Sequence, residues 1–198
     1  EVNRRRRAAG SMPGNVILTR DAGDTRPTLQ PIRERFGLAW GCFVEMPVER
    51  GIARVLGMDE VDVPRLATAS DYAVWAERAA EAVGEYEAVY VHLKGPDVPA
   101  HDGRGADKRD VISLIDRAFF AEVLPRLALR ETVIAVTADH STSCARKAHT
   151  ADPVPLVVGG AGVSPDGCGA FGEREAATGA LGALRGVDIL PRLLPLLA

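Results

Sequence analysis

Two polar stretches bring histidines and aspartates together in a pattern able to do acid–base or metal chemistry. The first reads Lys94-Gly95-Pro96-Asp97-Val98-Pro99-Ala100-His101-Asp102-Gly103. The second reads Thr137-Ala138-Asp139-His140-Ser141-Thr142-Ser143-Cys144, followed by Ala148-His149-Thr150-Ala151-Asp152-Pro153. Three of the four histidines, His101, His140 and His149, fall in them. The fourth, His92, sits within an apolar run and reads as a core histidine. Imidazole nitrogen and carboxylate oxygen suit zinc or manganese, and carboxylates shift the preference toward harder ions. The adjacent pair Asp139-His140 would diverge on a regular strand. At a strand end it can reach toward two ions or straddle them. Two metals about 4 Å apart form a clamp for in-line displacement at phosphorus.

These stretches must be held by something rigid. Ala88-Val89-Tyr90-Val91-His92-Leu93 is a strand of the buried type, and 132–137 is another; each runs straight into one polar stretch. Further strands are expected at 16–19, 38–44, 60–63 and 156–158. Helical spacing covers 32–36, 48–56 (stopping at Gly57), 72–83 (capped by Ser70), 106–130, 174–181 and 187–197. The long helix presents Val111, Ile112, Ile115, Phe119 and Val123 on one face. Strands alternating with amphipathic helices predict an α/β fold with a mostly parallel sheet flanked by helices. In open sheets of this kind ligands bind outside the carboxyl ends of the strands, where both polar stretches fall.

The chain has 198 residues, enough for one core. Twenty-four Lys+Arg against 27 Asp+Glu give a net charge of −3, which disfavours nucleic acid or an anionic membrane as partner. No apolar run approaches the ~18 residues of a membrane span. No apolar stretch follows the basic start Arg4–Arg7, so no signal peptide is expected and 1–14 reads as a solvated tail or connection. Cys42, Cys144 and Cys168 form no C-x-x-C pair and read as reduced thiols of a cytoplasmic protein. Neither a dinucleotide nor a P-loop phosphate motif occurs.

The blocks Val91-His92-Leu93-Lys94-Gly95-Pro96-Asp97…His101-Asp102-Gly103, Thr137-Ala138-Asp139-His140-Ser141-Thr142 and Ala148-His149-Thr150-Ala151-Asp152-Pro153-Val154-Pro155 resemble the cofactor-independent phosphoglycerate mutases of archaeal type, in the alkaline phosphatase superfamily. The likeness extends to Gly51-Ile52-Ala53-Arg54-Val55-Leu56-Gly57-Met58 and to Leu184-Arg185-Gly186-Val187-Asp188-Ile189-Leu190. The resemblance implies an alkaline phosphatase-like α/β fold. It implies that Asp97, His101 and His149 hold one divalent metal and Asp139 and His140 a second, with Mn or Zn expected and Mg or Co acceptable. Arg20, in Asn15-Val16-Ile17-Leu18-Thr19-Arg20, matches a segment whose arginine lies near substrate.

Family members also carry an early aspartate and a serine nucleophile, and neither has a counterpart here. Ser70 reads as a helix cap, while Ser141 and Ser143 lie beside the ligands without occupying the nucleophile's place. The chain therefore resembles the C-terminal half of the family. Residues 1–34 correspond to the end of a lid segment and its connection, and 35–198 to part of the metal-binding domain. The implied chemistry is interconversion of 3- and 2-phosphoglycerate through a phosphoserine, a glycolytic isomerisation. It would need the N-terminal half or self-association, the chain alone being inactive. The alternatives are a metal-dependent phosphatase or phosphonate-processing enzyme of the same superfamily, and a non-catalytic metal-binding subunit.

Overall fold

A computed structural model describes every residue except 18, 20–22, 26 and 198. The elements run α1 (Val2–Ala8), α2 (Ile32–Phe36), β1 (Trp40–Phe43), α3 (Pro47–Leu56), β2 (Asp59–Glu60), α4 (Ala69–Glu85), β3 (Ala88–Val91), α5 (Asp97–His101) and α6 (Gly105–Ile115). A π-helical turn (Asp116–Phe120), α7 (Ala121–Val123) and a 3-10 turn (Leu124–Arg126) continue the helical path. Then come β4 (Val133–Thr137), β5 (Ser141–Ser143), β6 (Ala148–Thr150), β7 (Leu156–Gly160), α8 (Glu173–Ala176), α9 (Gly186–Leu193) and a last 3-10 turn (Leu194–Leu197).

The α/β expectation holds. Strands β2-β1-β3 form a parallel sheet, with Cys42 opposite Glu60 on one side and Tyr90 on the other. Strand β4 pairs instead with β7, antiparallel, and β5 with β6 as a hairpin. The antiparallel direction of β7 follows from its connection. No crossover helix lies between β4 and β7, only the short hairpin, and the chain reverses through it.

The core lies between the parallel sheet and the helices. Trp75 of α4 and Phe43 of β1 are fully buried, with ring centroids 5.8 Å apart. The Trp75 indole N–H donates to the Pro64 carbonyl at 2.7 Å. Alanines at 76, 79 and 82 let α4 approach Ile115, Ala118, Phe119 and Val123 closely. Burying several such side chains at about 1.5–3 kcal/mol each is what fixes the sheet edge that carries the site.

Several local expectations need correction. The cap of α4 is Thr68, not Ser70: the Asp71 carboxylate accepts the Thr68 N–H at 2.7 Å and the Ala67 N–H at 3.1 Å, and Ser70 already lies within the first turn. The segment 1–14 is not all tail, because Val2–Ala8 is helical and Asn3 bonds to Asn15 and to the Gly14 N–H. No strand forms at residues 16, 17 and 19; Val16 is 73% and Ile17 91% exposed, so little among the described residues packs against them. Ile112 is about half exposed and does not belong to the inward face of α6, where Val111, Leu114 and Ile115 pack against the core. The helix at 174–181 shrinks to Glu173–Ala176, broken by glycines at 179 and 182. The two polar stretches are not plain loops, since the first contains α5 and the second the β5–β6 hairpin.

Candidate metal centre

Strand β3 ends at Val91, and within a few residues the chain turns into α5. Pro96 precedes its first residue and Pro99 sits in its first turn, where a missing N–H does no harm. Pro99 and Ala100 face inward. Asp97 and His101 are one helical turn apart and so share a face. On the other side, β5 and β6 pair with Thr142 directly opposite His149. The hairpin thereby delivers His149 to α5.

Three ligand atoms converge there. Asp97 Oδ1 lies 3.4 Å from His101 Nε2 and 3.7 Å from His149 Nε2, and the two Nε2 atoms are 3.0 Å apart. Asp97, His101 and His149 each place a donor atom within 4.8 Å of the others. The His101 Nδ1 faces the Lys147 carbonyl at 3.2 Å, so it carries the proton and leaves Nε2 with its lone pair directed inward. Lys147, whose carbonyl does this, holds a left-handed backbone conformation with φ 53°. Lone pairs crowded in this way repel one another unless a cation or proton lies among them. The donor set, two imidazoles and a carboxylate, is one that zinc and manganese accept.

Asp97 is the electrostatic centre. Burial pushes its carboxyl up, but the hydrogen bond from the Lys94 ammonium, the Thr142 hydroxyl and nearby His101 outweigh it and hold the group below the usual carboxylate range. The Lys94 Nζ is 3.0 Å from Asp97 Oδ2, which leaves Oδ1 for the histidine side.

Asp139 and His140 follow β4 at a sharp turn instead of extending it. Their side chains therefore converge, Asp139 Oδ2 lying 3.2 Å from His140 Nε2. The His140 N–H also donates to Asp139 Oδ1 at 3.0 Å. The His140 ring stacks against His149, which brings the second pair alongside the first cluster. Among the described residues no third side chain joins Asp139 and His140 to make a separate ligand set. Arg20 lies outside the described residues. The Ser143 hydroxyl accepts the Arg146 N–H at 3.3 Å, which serves the hairpin turn.

Sequence reasoning missed two groups here. Thr142, a buried hydroxyl, touches both Asp97 and His140. His92 lies just past β3, with Nδ1 2.9 Å from Glu49 Oε1, so it faces a carboxylate and is not a plain core histidine. Neither the Thr142–Asp97 nor the His92–Glu49 contact has a local signal, since each links residues far apart in the chain.

Comparison with known proteins finds relatives along nearly the whole chain. Residues 2–194 match the Metalloenzyme superfamily. The chain is 41% identical to a 2,3-bisphosphoglycerate-independent phosphoglycerate mutase of Aeropyrum pernix, covering 100% of the chain and 48% of the relative. It is 35% identical to that of Thermococcus kodakarensis, over 99% of the chain and 48% of the relative. A solved structure of a Pyrococcus horikoshii protein superposes with a TM-score of 0.86 at 36% identity, covering 99% of this chain and 52% of that one. The cofactor-independent phosphoglycerate mutase of Thermoplasma acidophilum does so with a TM-score of 0.68 at 31% identity, over 100% and 47%. The chain thus spans about half the length of the relatives it matches. With the match running over nearly every residue, and including the elements that bring Asp97, His101 and His149 together, the chain belongs to the metalloenzyme superfamily.

Proposed function

We propose that this chain forms the metal-holding part of a phosphoglycerate mutase-type centre, which interconverts 3- and 2-phosphoglycerate by phosphoryl transfer. Asp97, His101 and His149 hold one divalent ion, and Asp139 and His140 contribute to the site of a second; Mn or Zn fits the donors best. The observation that carries this reading is the convergence of Asp97 Oδ1 with the Nε2 atoms of His101 and His149, in a chain similar along its whole length to such mutases. The serine nucleophile is expected from a second half, either in the same polypeptide or as a partner. Divalent ions bound there would lower the pKa of that hydroxyl and neutralise charge on the transferring phosphoryl group.

The chain's own groups supply orientation. Lys94 holds Asp97 by Oδ2 and keeps it ionised. The Lys147 carbonyl fixes the His101 tautomer. A glycolytic, cytoplasmic setting fits the reading, with three free cysteines and no helix among the described residues long and apolar enough to cross a membrane.

The test is reconstitution. Produced together with an N-terminal half, the chain should interconvert the two phosphoglycerates when Mn or Zn is supplied, and Asp139→Ala should lower that rate at least ~100-fold. Undiminished turnover in the variant would remove the second-ion assignment. Release of free phosphate in place of isomerisation would mark a phosphatase.

A further inference from the structure

The hydroxyl of Thr142 stands where the two proposed ligand sets meet. Thr142 is 5% exposed and is the buried polar side chain found among the described residues. Its Oγ1 lies 2.9 Å from Asp97 Oδ1 and 3.1 Å from His140 Nδ1. A hydroxyl has one proton to give and lone pairs to receive. A carboxylate oxygen accepts, so the Thr142 proton goes to Asp97 Oδ1. The oxygen lone pair then faces His140, whose Nδ1 must be the protonated ring nitrogen. In the neutral ring that leaves His140 Nε2 with its lone pair, and Nε2 is the atom 3.2 Å from Asp139 Oδ2. Two acceptor atoms at that separation are stable together when a cation sits between or beside them.

The position of this hydroxyl is itself fixed. Thr142 is the middle residue of β5 and pairs across the hairpin with His149. The Lys108 ammonium of α6 donates to the Thr142 carbonyl at 2.9 Å, which ties the strand to the helix following the first ligand turn. One residue therefore contacts the carboxylate of the first set, contacts the imidazole of the second, and lies opposite the remaining histidine.

We infer that Thr142 is a positioning residue shared by both cation sites: its single hydroxyl orients Asp97 Oδ1 and holds His140 as the Nδ1–H tautomer, so the two sites are built and lost together. The inference rests on the two-ion reading above and adds to it a coupling element. A valine in its place has nearly the same shape, donates nothing to Asp97, and lets the His140 proton move to Nε2, where it would block coordination. A serine keeps the hydroxyl.

Titration of the full chain with Mn2+, read by calorimetry, tests this against T142V, T142S and D139A. Orienting partners of metal ligands are typically worth 10–100-fold in metal affinity. T142V should weaken both binding steps by roughly that factor, T142S should bind within about threefold of wild type, and D139A should weaken one step only. Nitrogen-15 spectra of the metal-free chain supply a readout independent of any ion. They should show His140 protonated at Nδ1 in the wild type and at Nε2 in T142V. Wild-type affinity at either site in T142V overturns the inference, and so does a wild-type His140 protonated at Nε2, even if T142V fails to fold. Failure of the wild type to bind any ion at Asp97, His101 and His149 overturns the metal reading on which the inference rests, while the nitrogen-15 result still decides the Thr142–His140 link.

Discussion

The imidazole of His140 lies against that of His149, ring centroids 3.7 Å apart and planes 31° from parallel. A residue of the second proposed pair thus leans on a ligand of the first. Removing His149 should therefore do two things. H149A should lower affinity at the first site by ~100-fold and, by taking away the face that supports His140, lower it at the second by a smaller factor of about 10. Two-step Mn2+ titration separates these effects; an unchanged second step would show that the stacking carries no coupling.

Stability toward acid follows from the carboxylates. Asp71 is held below its ordinary value by hydrogen bonds from Thr68, opposed by a smaller effect of burial, and Asp166 is lowered by the N–H groups of Ala180 and Cys168. A depressed carboxyl stabilises the fold above its unfolded pKa of about 3.9, and that contribution fades as pH falls through the lower folded value. The urea midpoint should be level above roughly pH 5 and fall below pH 4. D71N should start lower at neutral pH and fall less steeply. An identical acid slope in the variant would assign the acid sensitivity to other groups.

Trp75 anchors the core, fully buried and hydrogen-bonded to Pro64. Trp75→Ala should cost about 3–5 kcal/mol in urea denaturation. Trp75→Phe should cost less, retaining the ring against Phe43 but leaving the Pro64 carbonyl without its donor.

Gly160 ends β7 with φ +103°, and a Cβ there would stand 2.0 Å from the Thr132 carbonyl oxygen. Both the left-handed backbone and the contact oppose any side chain. G160A should lose at least ~1–3 kcal/mol, with the β4–β7 pair showing the earliest amide exchange. An alanine tolerated without loss would mean that the strand end can shift.

Much of the scaffold was legible in the chain. Apolar runs at 40–43, 88–91 and 133–137 form strands, the first mostly buried and the other two partly so, and α3 stops at Gly57, in the left-handed conformation that glycine allows. The five ligand candidates lie together because both polar stretches leave the carboxyl ends of strands. What escaped was nonlocal or too short for periodicity. Helix α5 has five residues with two prolines in or beside its first turn, and the β5 and β6 sequences Ser-Thr-Ser and Ala-His-Thr carry no hydrophobic alternation. Ser70 looks like a cap, yet Asp71 reaches back to Thr68 and moves the start by two residues. The apolar run around Val16 and Ile17 promised a strand, but a strand needs a partner and none among the described residues pairs with it.

The parallel sheet and the β4–β7 pair share no backbone ladder among the described residues, yet His101 follows one and His149 hangs from the other, 48 positions further along the chain. An ion gripped by both is a cross-link between two separately bonded bodies, closing a long loop as a disulfide would. The melting temperature of the chain should climb with the logarithm of free Mn2+ concentration once the ion is in excess over its Kd, whether or not any substrate is turned over. Chelation should loosen the hairpin before it touches the Trp75 core. An ion bound there would fasten the architecture independently of any chemistry it supplies.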